Sequence, residues 1–145
     1  MRNLKLESEA IIISNYCHII SQILFLHREL SIIKLVFFAF VISTKKEYLN
    51  SIYTAKNKKF LDDKVTSLIV GNYDKFCSNI DFILKALHLL IINKNCKYED
   101  SIVFFLTRNG YEKPIYDEQS FIYNAIEYCK NVEDFQILKE IVQNV

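Results

Sequence analysis

The chain has 145 residues, 51% of them hydrophobic and 14% aromatic, and its 18 Lys and Arg against 17 Asp and Glu leave a net charge of +1. That length suits one domain with a real core, and with only 2 Gly and 1 Pro there is little material for phosphate-cradling loops or many tight turns, so a helix-dominated fold follows. The charge balance excludes an autonomous DNA-coating protein, which needs a basic excess to neutralise phosphates.

Helical spacing of Ile12, Ile13, Tyr16, Ile19, Ile20, Ile23 and Leu26 predicts a first helix over about residues 6–27, with a wide buried stripe. Ser14, Asn15, His18, Ser21 and Gln22 interrupt its apolar run, which follows Glu7 and Glu9 rather than a basic stretch. It does not read as a secretory signal. A second helix, about 31–43, is apolar nearly all round (Ile32, Ile33, Leu35, Val36, Phe37, Phe38, Phe40, Val41, Ile42) and belongs in the middle of a core or an assembly. It contains Lys34 and falls short of the ~20 apolar residues of a spanning helix. Shorter amphipathic helices are expected over 45–55, with Tyr48, Leu49, Ile52 and Tyr53 facing in, and over 57–70, with Phe60, Leu61, Val65, Leu68 and Ile69.

Gly71-Asn72 marks a turn. Beyond it Phe76, Ile80, Ile83, Leu84, Leu87 and Ile91 recur every three or four residues, the buried face of a long helix starting at Tyr73. The period then changes. Two short extended runs, 96–98 and 102–106, flank the turn-favouring Glu99-Asp100-Ser101. A long helix entering a β-hairpin is a winged-helix-like arrangement. Arg108-Asn109-Gly110 and Lys113-Pro114 punctuate a loop before two further helices, about 117–130 and 132–143. Glu118 suits the positive end of the first. The chain thus reads as one mainly α domain over 1–145: a helical core about 6–92, a β-hairpin about 96–106 and a C-terminal helical pair about 117–143.

Residues that could carry chemistry are sparse. Cys17, Cys77, Cys96 and Cys129 are widely spaced, which points to free, mostly buried thiols in a cytoplasmic chain rather than a disulfide framework. Cys17 and His18 are adjacent, so on a helix their side chains diverge by about 100° and cannot act as a pair. His88 shares a predicted helical face with Ile80 and Leu84 and reads as a core-edge histidine. No C-x-x-C or H-x-x-x-H spacing offers zinc ligands, and Asp62-Asp63 beside Lys58, Lys59 and Lys64 reads as a solvated helix face. No cofactor or metal is expected, and the chain is not expected to be an enzyme. A DNA reader should expose Arg, Lys, Asn or Gln on the helix after Gly71-Asn72. That helix offers Lys75, Asn79 and Lys85 against Asp81, and the hairpin adds Lys97 against Glu99 and Asp100. A winged-helix transcriptional regulator is therefore the alternative reading, and protein contact the better fit.

The element order resembles the small middle component of bacterial three-component ABC (ABC-3C) systems, the group that includes the small third subunit of Lamassu-type anti-phage defence complexes. The resemblance runs over 10–142 through LSIIKLVFFAFVISTKKEYL, FLDDKVTSLIVGNYDKF, ILKALHLLIINKNCKYEDSIVFF and NAIEYCKNVEDFQILKEIV. It implies a non-catalytic accessory subunit that bridges an SMC-like ABC ATPase and an effector subunit, commonly a nuclease, with DNA reached mainly through the complex and no membrane partner. The expected contact residues are apolar or aromatic side chains left over by the core: Phe37, Phe38, Phe104, Phe105, Tyr111 and Tyr116.

Overall fold

The computed structural model describes residues 4–44, 67, 69–106 and 114–144. In chain order these form α1 (Leu4–His27), β1 (Glu29–Ser31), α2 (Ile32–Thr44), α3 (Tyr73–Ile92), β2 (Cys96–Glu99), β3 (Ile102–Phe105), α4 (Phe121–Cys129) and α5 (Asp134–Asn144). The fold is mainly helical with a winged-helix-like helix and hairpin, as the periodicities predict. The helix expected over 45–55, most of that over 57–70 and the loop around Arg108-Asn109-Gly110 lie outside the described residues.

The apolar segments pack as their patterns demand. Residues 34–42 of α2 are all buried, so the helix that is apolar all round does sit in the middle. α1 packs against α2 and α3, and α4 closes over α2. Burial in α1 begins at Tyr16; residues 4–15 are largely exposed or half-buried. α1 is also, among the described residues, the one helix long and apolar enough to cross a membrane by length and composition, and 39% of its most apolar 18-residue window is buried in the fold.

Turns fall at the expected places. The Gly71 and Asn72 amides donate to the Ser67 and Ile69 carbonyls at 2.9 and 3.1 Å, and α3 starts at the next residue. At its far end the Asn95 amide reaches the Leu90 carbonyl at 2.9 Å and the Lys94 amide reaches that of Ile91 at 3.0 Å. This is the Schellman pattern, with Lys94 (φ 62°) in the left-handed position that glycine favours. α1 ends in the simpler version. The Arg28 amide donates to the Leu24 carbonyl at 2.8 Å, and Arg28 has φ 71°. A side chain in either position costs about 1 kcal/mol relative to glycine.

A third strand accompanies the hairpin. β1 pairs antiparallel with β3, placing Glu29 opposite Phe104, Leu30 opposite Val103 and Ser31 opposite Ile102; β2 pairs with the other edge of β3, with Lys97 opposite Phe104. The sheet order is β1-β3-β2. Asp100 (φ 52°) and Ser101 (φ 66°) form the two-residue connection, the pair of positive φ values that a type I′ turn requires. Strand alternation sends Leu30, Val103 and Cys96 into the core. The opposite face carries Glu29, Ser31, Ile102, Phe104, Lys97 and Glu99.

Two expectations are corrected. The buried face of α3 is Phe76, Ile83, Ala86, Leu87 and Leu90; Leu84 and His88 are exposed, because the helix meets α1 and α2 along the first set of positions. Glu118 does not lie in the first turn of α4. The helix is capped two residues later by Ser120, whose Oγ accepts from the Tyr123 amide at 3.2 Å and donates to the Asp117 carbonyl at 2.7 Å.

Candidate functional site

The richest polar constellation joins the end of α1 to α4. The His27 side chain has no solvent exposure, and its Nδ1 lies 2.8 Å from Glu127 Oε1. Its Nε2 lies 3.0 Å from the Tyr116 hydroxyl. Lys130 Nζ donates to the His27 carbonyl at 2.8 Å and lies 3.3 Å from Glu127 Oε1. The Tyr123 ring covers the imidazole at a centroid distance of 4.6 Å. Each group is placed by local structure: His27 closes α1, Glu127 and Lys130 share one face of α4 at i,i+3 spacing, and Tyr116 precedes the Ser120 cap.

Protonation states follow from the environment. Burial holds the His27 imidazole below its ordinary value, against the opposing hydrogen bond and charge of Glu127. Burial pushes the Glu127 carboxyl up, but the hydrogen bonds and charges of His27 and Lys130 together outweigh it and leave the carboxyl below its ordinary value. Burial, with Tyr123 and Glu127 adding to it, pushes the Tyr116 phenol well above its usual value. At neutral pH the imidazole is therefore neutral. Its Nδ1–H donates to the carboxylate, and the phenolic O–H donates to Nε2. The set has the residue types of an acid–base relay, yet both ring nitrogens are spent and no atom of the His27 side chain meets solvent. It fastens α4 to α1.

A second polar join lies at the start of α5. Lys34 Nζ is 3.5 Å from Asp134 Oδ1 and 3.5 Å from the Lys130 carbonyl, and Ser31 Oγ donates to Asp134 Oδ1 at 2.7 Å. Of the four free cysteines Cys96 and Cys129 are buried, Cys17 is half-buried and Cys77 is exposed. Cys17 Sγ donates to the Ala86 carbonyl at 3.6 Å and burial pushes its thiol up; burial, with Cys17 adding to it, pushes that of Cys96 up to about 11. Among the described residues no group of three or more His, Cys, Asp and Glu could hold a metal ion. A depression of about 720 Å³ runs between α1, the end of α2 and α3. Tyr16 donates there to Asn79 Oδ1 at 3.0 Å and lies 3.1 Å from Ser43 Oγ.

The six residues expected to contact partners fare unequally. Phe37, Phe38 and Tyr116 are at most 5% exposed. α2 is enclosed by α1, α3 and α4, so Phe37 packs its ring 5.5 Å from that of Phe76, and Tyr116 is held by His27. The core absorbs all three. Phe104 and Phe105 are both half-buried but on opposite faces of β3. Phe105 turns inward to an edge-to-face contact with Phe25 at 6.0 Å, whereas Phe104 lies on the outer face. Tyr111 lies outside the described residues.

The apolar surface that the fold does leave open is elsewhere. On α5, Ile137 and Ile141 are buried while Phe135, Leu138 and Val142 are 71%, 39% and 68% exposed. Their i, i+3, i+7 spacing makes them one stripe, legible in the sequence but masked by the inward stripe beside it. Leu84, Leu89 and Ile92 leave further apolar surface on α3. The cations nominated for DNA contact are mostly neutralised within the chain: Lys85 pairs with Asp81 and Lys97 with Glu99, each at 2.9 Å. No family model, curated protein or solved structure matches the chain.

Proposed function

We propose that this chain is a non-catalytic accessory subunit of a bacterial anti-phage defence complex, working in the cytoplasm. It bridges an SMC-like ABC ATPase and an effector subunit, a nuclease, by protein contact alone. The observation that carries this reading is the α5 stripe: Phe135, Leu138 and Val142 form an apolar helical face with no described element over it, the surface by which a helix docks on a partner. The His27 imidazole, enclosed and spent on Glu127 and Tyr116, and the Cys17 and Cys96 thiols, kept protonated by burial, support it from the other side. Paired lysines on α3 and β2 weigh against the alternative, a DNA-binding regulator, which needs free cations over its recognition helix. The elements that resemble the ABC-3C middle component supply the partner classes.

The reading is tested by co-expressing the tagged chain with the products of its neighbouring genes and comparing the Phe135→Ser/Val142→Ser variant. The wild type should retain the ATPase. The double variant, with an unchanged circular dichroism spectrum, should retain at least about tenfold less, the loss expected when a central apolar anchor is removed. Equal capture by both would contradict the assignment of this face.

A further inference from the structure

The edge of the sheet beside α1 bears a small recess. Leu24, Phe25, Arg28, Glu29, Phe104 and Phe105 enclose about 170 Å³ where the end of α1 meets β3. That is close to the roughly 150 Å³ of an apolar cavity known to accept a benzene ring, hence space for one large apolar side chain. Two charges stand at its mouth. Arg28 and Glu29 are exposed, and neither side chain makes an ion pair or hydrogen bond with a described residue, whereas Lys34, Lys85, Lys97 and Lys130 all have carboxylate partners. The backbone fixes the position of both. The Phe105 amide donates to the Arg28 carbonyl at 3.0 Å, and Glu29 lies opposite Phe104 in the ladder.

From this placement we infer that the recess is a docking site for an extended segment of a partner protein that carries a large apolar residue next to a single acidic one. The apolar side chain fills the space between Phe25, Phe104 and Phe105, and its acidic neighbour pairs with the Arg28 guanidinium, the one planar fork at the mouth. Glu29 supplies discrimination. It repels a second carboxylate, so a mixed segment is selected over an acidic run, and it repels phosphate, so nucleic acid is rejected. The inference rests on the protein-contact reading above and names chemistry for a second face, distant in sequence from the α5 stripe.

The test uses the full chain to select from a library of random linear peptides. Arg28→Glu and Arg28→Gly serve as variants that keep the fold, since glycine suits the left-handed position and the side chain contacts no described partner. Selected peptides should share an Asp or Glu beside Leu, Ile or Phe. Their affinity should fall about tenfold or more on either variant, as for a lost charge-assisted contact. Arg28→Glu should in turn gain the peptides in which Lys replaces the acid. Selection of peptides without that pair, or equal binding by wild type and Arg28→Glu, overturns the inference. Retention of the ATPase complex by Arg28→Glu while peptide selection fails would sink this site and leave the accessory role standing. Acidic–apolar peptides selected by a chain that captures no neighbouring gene product would do the reverse.

Discussion

Replacing Tyr116 by Phe isolates the hydrogen bond that the His27 cluster depends on. The Tyr116 hydroxyl is buried and donates to His27 Nε2 at 3.0 Å. Removing it leaves an imidazole nitrogen with no solvent access and no donor, and a buried acceptor left unsatisfied costs about 1–3 kcal/mol. At this chain length each kcal/mol corresponds to about 2–4 °C in Tm, so the expected loss is roughly 2–12 °C. Urea and thermal unfolding followed by far-UV circular dichroism at pH 7.5 measure it. The decisive comparison is the same substitution in a His27→Leu background. There the acceptor is already gone, Tyr116 holds an idle donor, and losing that donor should be neutral or stabilising. A loss below about 0.5 kcal/mol in the wild type, or the same loss in both backgrounds, would refute the bonding scheme.

Other outcomes follow from the same geometry. Because the folded chain holds His27 below its unfolded value, the unfolded state takes up the proton first as pH falls; the stability this represents is complete above about pH 6.5 and drains away below it. Glu127, also held low, adds a further loss below its ordinary range. Urea midpoints measured from pH 7.5 to 5 should therefore decline, with a slope from His27 of at most about 1.4 kcal/mol per pH unit; His27→Gln should flatten the upper part of that decline, and an unchanged profile would argue against it. Phe38→Ala should cost about 3–5 kcal/mol, as expected of a buried core ring, whereas a cost near that of a surface change would mean that α2 is not enclosed. Phe105→Ser should destabilise by about 2 kcal/mol through the contact with Phe25, and Phe104→Ser by clearly less; reversed values in the same assay would mean that the strand register is wrong. Arg28→Gly should stabilise by up to about 1 kcal/mol through relief at φ 71°; a clear destabilisation would mean the guanidinium is holding the fold.

Periodicity made the long elements readable. α1 and α3 repeat their apolar residues through several turns, and α2 is apolar nearly all round, so a buried stripe on the first two and a central place for the third could be drawn before any contact was known. The three-residue β1 could not be seen this way. Glu29-Leu30-Ser31 shows too little alternation to register, and it becomes a strand only because β3 lies alongside it. The face of α3 was misjudged for a related reason. Its apolar residues cover more than half of the helix, and neighbours rather than periodicity select which of Ile83 and Leu84 goes inside. The same ambiguity hid the outer stripe of α5 and left Phe37 and Phe38 looking available. The His27 cluster had no local signature. His27 and Glu127 stand 100 residues apart in the chain, and only the closure of α4 over α2 brings them within hydrogen-bond reach. Ser120 did carry a local signal, a hydroxyl just before an apolar helical run, but Asp117 and Glu118 offered an equally plausible start.

If this chain acts by joining other proteins, its partners should be recovered with it. The most direct measurement is the native mass of the complex recovered when the tagged chain is co-expressed with the products of the adjoining genes. A stable assembly that contains a large coiled-coil ABC ATPase together with an effector subunit is the expected result. A lone monomer or dimer, recovered while the ATPase is present and unbound, would contradict it.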